Sequence, residues 1–265
     1  MMPDFARLQE VAEAASRAGA AELLLWRDKF TTREKSARNL VTDADLASQR
    51  AVKAVIRENF PVHGFLGEES PDCRQLQEPY CWIVDPLDGT TNYVHGFPFY
   101  AVSVAVAHEG QLAAGAVFDP MANECFTAAR GLGARLNGQP IAVSKVDVLD
   151  QALVAVSFPP HPSPHDPDIE VFMRVSPECQ AVRRTGSAAI NLASVACGRL
   201  DAHWAHSIHN WDSAAGVLLI EEAGGVVAAF NGGPYDVAKG DYFVASTRKL
   251  FEQLAPLLKI EREHE

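Results

Sequence analysis

This sequence predicts an α/β (α+β) protein of layered helices and sheets, and three observations carry that prediction. Two amphipathic helical stretches open the chain. From Cys81 to Ser144 short apolar runs alternate with turns, the texture of an antiparallel sheet with helices on one side. After about Val146 strand-like and helix-like runs take turns, which implies a mixed or parallel sheet covered by helices. The change of texture divides the chain into an N-terminal subdomain, 1–145, and a C-terminal subdomain, 146–265.

Phe5, Leu8, Val11, Ala12, Ala15 and Ala18 recur at helical spacing and predict a helix over about 4–28. The polar stretch "TTREKSARN" breaks that pattern. A second helix follows "VTDAD", carries Val52, Val55 and Ile56 on one face, and stops before Pro61. "YAVSVAVA" and "LAAGAVFD" flank "HEGQ" as a hairpin, and "NECFTAA" adds a strand. "ARLNGQPIAVS" turns at Asn137-Gly138, a pair that readily takes positive φ. In the second half "ALVAVSF", "LDAHWA", "VVAAF" and "YFVAS" read as strands. "SAAINLASVAC" and "SAAGVLLIEEA" read as helices stopped by Gly198 and by Gly224-Gly225. "TRKLFEQLAPLLKI" is a final helix with Leu250, Leu254, Leu257 and Leu258 on its face. The proline-rich loop "PPHPSPHDPD", 159–168, either borders a pocket or crosses the surface.

A chain of 265 residues is ample for a sizeable core. Its formal net charge of −11 disfavours nucleic acid as a partner, because phosphate backbones are bound chiefly by lysine and arginine. An anionic small substrate therefore needs positive charge recruited locally. Five cysteines, an odd number without C-x-x-C spacing, read as free thiols in a reducing compartment, so a cytoplasmic location is expected. The N-terminus lacks a basic region followed by an apolar run, so no signal peptide is expected. No apolar stretch is long enough to cross a bilayer, and no membrane partner is expected.

Three segments end their apolar elements with acids: "GFLGEES" with Glu68 and Glu69, "CWIVDPLDGTTN" with Asp85 and Asp88, and "HNWDSAAG" with Asp212. Taken singly, each has an ordinary reading. Asp212 suits a helix N-cap, Asp88 before Gly89 suits a turn, and the two glutamates suit a solvated loop. The combination says more. Asp85 ends a strand with no polar alternation, and Pro86 keeps it out of the helical region. The chain then turns so that Asp88 approaches Asp85, with the Leu87 carbonyl turned towards the same space. Two buried carboxylates at that distance repel, and a divalent cation removes the conflict. Oxygen donors without histidine or cysteine suit Mg²⁺ rather than Zn²⁺. Gly89, Thr90 and Thr91 follow directly, and N–H groups at a helix start make a ready anion site.

"NLVTDAD", "GEES", "WIVDPLDGTTNYVHGFPF", "RRTGSAAINLA" and "WDSAAGVLLIEEAGG" closely resemble, in this order along the chain, the motifs of the inositol monophosphatase family of Mg²⁺-dependent phosphatases. The resemblance spans nearly the whole chain. It implies a layered α/β/α/β/α sandwich of the inositol monophosphatase and fructose-1,6-bisphosphatase type, assembled as a homodimer. It also implies two to three Mg²⁺ ions: one on Glu68, Asp85 and the Leu87 carbonyl, a second on Asp85, Asp88 and Asp212, and a third steadied by Glu68 through water. Thr90 with Asp45 would orient and deprotonate the attacking water, and Glu68 joins them as catalytic. Gly89, Thr90 and Thr91 would hold phosphate oxygens, bordered by Leu87, Asp88 and Asp212. Gly186, Ser187 and Ala188 would line the alcohol side. On its own residues Asp45 also reads as part of a helix start capped by Thr42.

The implied reaction is hydrolysis of a small phosphorylated alcohol, inositol 1-phosphate-like, by water. Relatives in the superfamily hydrolyse histidinol phosphate, fructose 1,6-bisphosphate or 3′-phosphoadenosine phosphates, and these are the alternatives. A regulatory binding protein that keeps the fold alone is the non-enzymatic alternative. A haloacid-dehalogenase-type phosphatase needs D-x-D-x-T, and Asp85 and Asp88 have the wrong spacing. One departure bears on substrate. Seven residues before Asp212 the family has a sugar-binding glutamate, and here Ala205 stands there, with His203 or His206 as possible compensation. His206 and His209 themselves read as pocket wall or surface rather than acids.

Overall fold

The computed structural model describes residues 4–36, 39–206 and 208–258. Helix α1 (Phe5–Trp26) starts where the Asp4 side chain accepts from the Arg7 N–H at 3.0 Å, and it buries Leu8, Val11, Ala12, Ala15 and Leu23. The polar stretch after it is more than a break. Strands β1 (Thr32–Ser36) and β2 (Asn39–Thr42) pair antiparallel as a separate ribbon, which lacks the apolar alternation that would have announced it. Helix α2 (Asp43–Asn59) follows, and it ends ahead of Pro61 as expected.

Strands β3 (Gly64–Gly67), β4 (Tyr80–Asp88), β5 (Ala101–His108), β6 (Gln111–Asp119), β7 (Glu124–Ala129), β8 (Gly133–Leu136) and β9 (Gln139–Pro140) form a seven-stranded sheet in that order. The short helix α3 (Thr90–Val94) leaves the end of β4. The sheet is antiparallel except for β3 with β4, which run parallel. Asn137 and Gly138 take positive φ between β8 and β9, as their turn requires.

The second half supplies β10 (Leu153–Val156), α4 (Pro167–Val175), β11 (Ala181–Arg183), α5 (Ala188–Ala196), β12 (Ala202–Ala205), α6 (Asn210–Glu222), β13 (Val226–Ala228), β14 (Tyr242–Ala245) and α7 (Arg248–Leu258). Its five strands lie in the order β11-β10-β12-β14-β13, parallel from β11 to β12 and antiparallel from there on. The sheet is mixed. Helix α4 grows out of the proline-rich loop, with Pro167 in its first turn, where a missing N–H costs nothing. The expected run of the last helix to Ile260 passes outside the described residues.

Three apolar cores separate five layers. The first packs α1 and α2 on Trp82, Val84, Val102, Val104 and Val106 of the large sheet. The second fills the space between the sheets with α5 and α6, against Ile83, Ala105 and Val117 on one side and Ala155, Tyr242 and Val244 on the other. The third packs α4 and α7 on Val154, Val156, Trp204 and Phe243. The large sheet therefore carries helices on both faces, not on one side as its texture suggested. The reason is visible in β5, where every residue from Ala101 to Ala107 is buried and neither face can meet water. Among the described residues no helix is long and apolar enough to cross a membrane.

Candidate active site

The end of β4 gathers the site. Asp85 and Asp88 both belong to that strand, and its pairing with β5 slips between them, opening the bulge that contains Pro86 and Leu87. The slip brings both carboxylates towards one space. Asp85 accepts from the Leu87 N–H at 2.9 Å, and the Pro86 carbonyl is pinned by the Ser48 hydroxyl of α2 at 2.8 Å. The Leu87 carbonyl accepts the Thr90 hydroxyl at 3.1 Å.

Other elements deliver the rest. Asp88 receives the Ala189 N–H at 2.8 Å and the Ala188 N–H at 3.2 Å from the start of α5, together with the Ser187 hydroxyl. Ser187 is fully buried as the cap of α5, so its hydroxyl serves Asp88 behind the site wall rather than facing an alcohol. Asp212 lies in the first turn of α6 but not at its cap. That position falls to His209, whose N–H donates to Asp212 at 2.9 Å. Asp45 meets both of its readings. It closes the cap of α2 by accepting the Thr42 N–H (2.8 Å) and hydroxyl (2.6 Å), while its other oxygen faces the Thr90 hydroxyl at 3.4 Å.

Carboxylate oxygens of Asp85, Asp88 and Asp212 lie within 4.8 Å of one another. Glu68, just beyond β3, lines the same cavity but stands outside that group of three. Crowding and burial raise the proton affinity of these groups. Burial, then the charges of Glu68, Asp212 and Asp88, pushes Asp85 well above the usual carboxylate range. Burial and the charges of Glu68 and Asp88 push Asp212 up to about 8. Asp88 reaches only about 6, because its burial is opposed by the donors of α5. Burial carries Asp45 to about 7 against the pull of Thr42. Converging hard oxygen donors of like charge are the donor set a divalent cation needs.

Gly89 joins β4 to α3 with φ at 93°. A Cβ there would stand 3.0 Å from the Phe99 carbonyl oxygen and 3.3 Å from that of Gly186, so only glycine lets these segments meet. Asn92 ties the same junction together by donating to the carbonyls of Phe99 (2.7 Å) and Thr185 (2.9 Å). The adjoining cavity, ≈ 220 Å³, is lined by Glu68, Asp88 and Asp212 together with Gly186, Ala188 and Trp211. Pro159 and Pro160 also border it, which places the proline-rich loop at the pocket.

Two cavity residues, Ser157 and Arg184, went unnoticed in the sequence. Ser157 carried a signal: it is the first polar residue after an apolar strand, as Asp85 is. His209 lines the cavity too, exposed and stacked on Trp211 at 4.5 Å. His206 lies half-buried against Phe230 instead. Ala205 is buried on β12, on the sheet face it shares with His203.

A layered sandwich with acids gathered at a strand end beside a small cavity defines the phosphatase class that the sequence motifs resemble. The chain belongs to the inositol monophosphatase family, whose model matches residues 4–263. It is 39% identical over 253 residues to a Synechocystis protein named inositol-1-monophosphatase, covering 95% of this chain and 88% of that one. It is 40% identical over 232 residues to a Pseudomonas aeruginosa protein named Nus factor SuhB, covering 86% and 85% respectively. A solved structure described as inositol monophosphatase from Anabaena matches with a TM-score of 0.86 at 36% identity, over 97% of this chain and 96% of that chain.

Proposed function

We propose that the chain is a Mg²⁺-dependent phosphomonoesterase acting on a small phosphorylated alcohol. The observation that supports this most is the convergence of Asp85, Asp88 and Asp212 from two elements on one point beside the cavity. The oxygen-only donor set suits magnesium, held by Asp85, Asp88 and Asp212, with Glu68 and the Leu87 carbonyl alongside. Bound there, the cation supplies positive charge for the phosphate and a lowered pKa for water.

The chain's own residues do the remaining work. N–H groups of Gly89, Thr90 and Thr91 hold phosphate oxygens, since the first N–H groups of a helix have no partner inside it. Water gives a proton to the Thr90 hydroxyl as that hydroxyl passes its own to Asp45. Asp45 suits this because a group near pH 7 both accepts and releases protons at neutral pH. The oxygen so freed attacks phosphorus, the ester bond breaks, and the alkoxide takes its proton from solvent. No covalent enzyme intermediate is needed. Gly186 and Ala188 border the leaving alcohol, and a cavity of ≈ 220 Å³ suits a small one. As in the family generally, a homodimer is the assembly expected.

The second reading is a regulatory protein that keeps this fold to bind a partner, and a relative named Nus factor SuhB, not named as an enzyme, is the observation that favours it. One experiment separates them. Purified protein with Mg²⁺ is given a panel of phosphate monoesters, inositol 1-phosphate first, and inorganic phosphate is measured. Release that chelator abolishes and Mg²⁺ restores is expected. Release from none, at any Mg²⁺ concentration, would sink the phosphatase and favour the regulator.

A further inference from the structure

Beneath the outer part of the cavity runs a short polar chain that the proposed reaction does not use. Ser157, in the cavity wall, lies 3.2 Å from His203 Nε2, and His203 Nδ1 lies 3.1 Å from the Tyr242 hydroxyl. His203 and Tyr242 are wholly buried, on neighbouring strands β12 and β14. Their roles follow from proton counting. The Tyr242 O–H has no acceptor other than His203 among the described residues, and a buried hydroxyl needs one, so Tyr242 donates to Nδ1. Burial holds the ring neutral, its pKa lowered to about 3. The single ring proton is therefore on Nε2 and is donated to Ser157 Oγ. That fixes Ser157 as an acceptor on its inner side and leaves its own O–H for the cavity.

A second donor stands on the same wall. Arg184 lies over the Phe158 ring at 5.9 Å, and Phe158 is braced edge-on by Phe172 of α4. Among the described residues no carboxylate pairs with Arg184. The cavity is thus acidic where the phosphate is placed and donor-rich where the alcohol goes. Arg184 is exposed, so water serves its guanidinium when the cavity is empty. An anionic group would meet both donors and gain a charge-assisted pair that a neutral polyol does not offer.

We propose that the alcohol side of the cavity reads an anionic group on the leaving alcohol, with Ser157 and Arg184 as its donors and with His203 and Tyr242 positioning Ser157. This rests on the phosphomonoesterase reading and narrows its substrate to esters bearing a second anionic group, a carboxylate or another phosphate.

Three esters of one carbon skeleton test it with the Mg²⁺-loaded protein: glycerol 3-phosphate, 3-phosphoglycerate and propane-1,3-diyl bisphosphate. At least one anionic ester is expected to exceed glycerol 3-phosphate about tenfold in kcat/KM, and which one does so distinguishes carboxylate from phosphate. Ser157→Ala and Arg184→Gln should each bring that ratio towards one, chiefly through KM of the anionic ester. Tyr242→Phe keeps the ring but frees Nδ1 to carry the proton, so the ratio should fall severalfold; this variant stands in for His203→Phe should that one not fold. A wild-type protein that hydrolyses glycerol 3-phosphate as well as either anionic ester overturns the proposal and leaves the phosphatase standing. So does a preference that survives both Ser157→Ala and Arg184→Gln. Hydrolysis of inositol 1-phosphate but of none of the three overturns the proposal and leaves the phosphatase standing.

Discussion

Asparagine in place of Asp85 or Asp212 keeps the side chain's shape and removes one ionisable carboxyl from the acidic group of the site. Two consequences of opposite sign follow. Cation binding loses a ligand, so turnover should fall at least about a hundredfold. At alkaline pH, where these carboxyls ionise, repulsion is relieved, so the metal-free protein should there melt no lower than wild type by circular dichroism. A variant that keeps most of its turnover would refute the ligand assignment. Asp45→Asn probes a different role. If Asp45 is the base, it must be ionised to act, so wild-type activity should rise with pH through about 7 and the variant should lose that limb from its kcat profile. At this scale the acids were legible because an apolar strand ran directly into them. Asp45 was legible only through resemblance, since a capping acid and a catalytic base look alike in "VTDAD". Arg184 was not legible at all. Its place depends on Phe158, Phe172 and a wall that exists only when α4 and β10 are folded.

Two helices share responsibility for the geometry: the start of α5 holds Asp88, and the first turn of α6 carries Asp212. They cross with Gly216 against Leu192, so closely that a Cβ at 216 would stand 2.6 Å from Leu192 Cδ1. Gly216→Val must therefore push the helices apart. A loss of about 1–3 kcal/mol is expected in urea unfolding, as for other overpacked cores. Mg²⁺ affinity should weaken as well, because Asp212 moves with α6 and Asp88, on β4, loses the α5 donors that hold it. Unchanged stability would mean that the crossing is loose. Periodicity made α1, α2, α5 and α6 readable, and Asn137-Gly138 made their hairpin readable. The ribbon of β1 and β2 was hidden because most of its residues are polar, Leu40 and Val41 apart, and its strands pair only with each other. Likewise β11, three residues long, offered no pattern to read.

For the whole molecule, the layered order was recoverable from the motifs, but the two-sided cover of the large sheet was not, because texture reports a strand's burial without saying what buries it. The fold uses that cover to confine acids that would separate in an open chain, and the cost should appear in stability. Unfolded aspartates release their protons near pH 4, whereas the folded chain holds them to about 6 at Asp88, about 7 at Asp45 and about 8 at Asp212. Between those limits the folded state binds more protons than the unfolded one, so unfolding free energy falls as pH rises. These raised pKa values stabilise the fold fully only below about pH 4, and their contribution is gone above about pH 8. Chelator-treated protein should accordingly melt at a lower temperature near pH 8 than near pH 5. Mg²⁺ should reverse this, since the cation takes the place of the protons, and the rise should be larger near pH 8, where fewer protons compete. At a hundred times its dissociation constant it adds about 2.7 kcal/mol. A melting temperature indifferent to Mg²⁺ near pH 8 would mean that these carboxylates answer their mutual repulsion by protonation alone, and the cation would lose its place in the site.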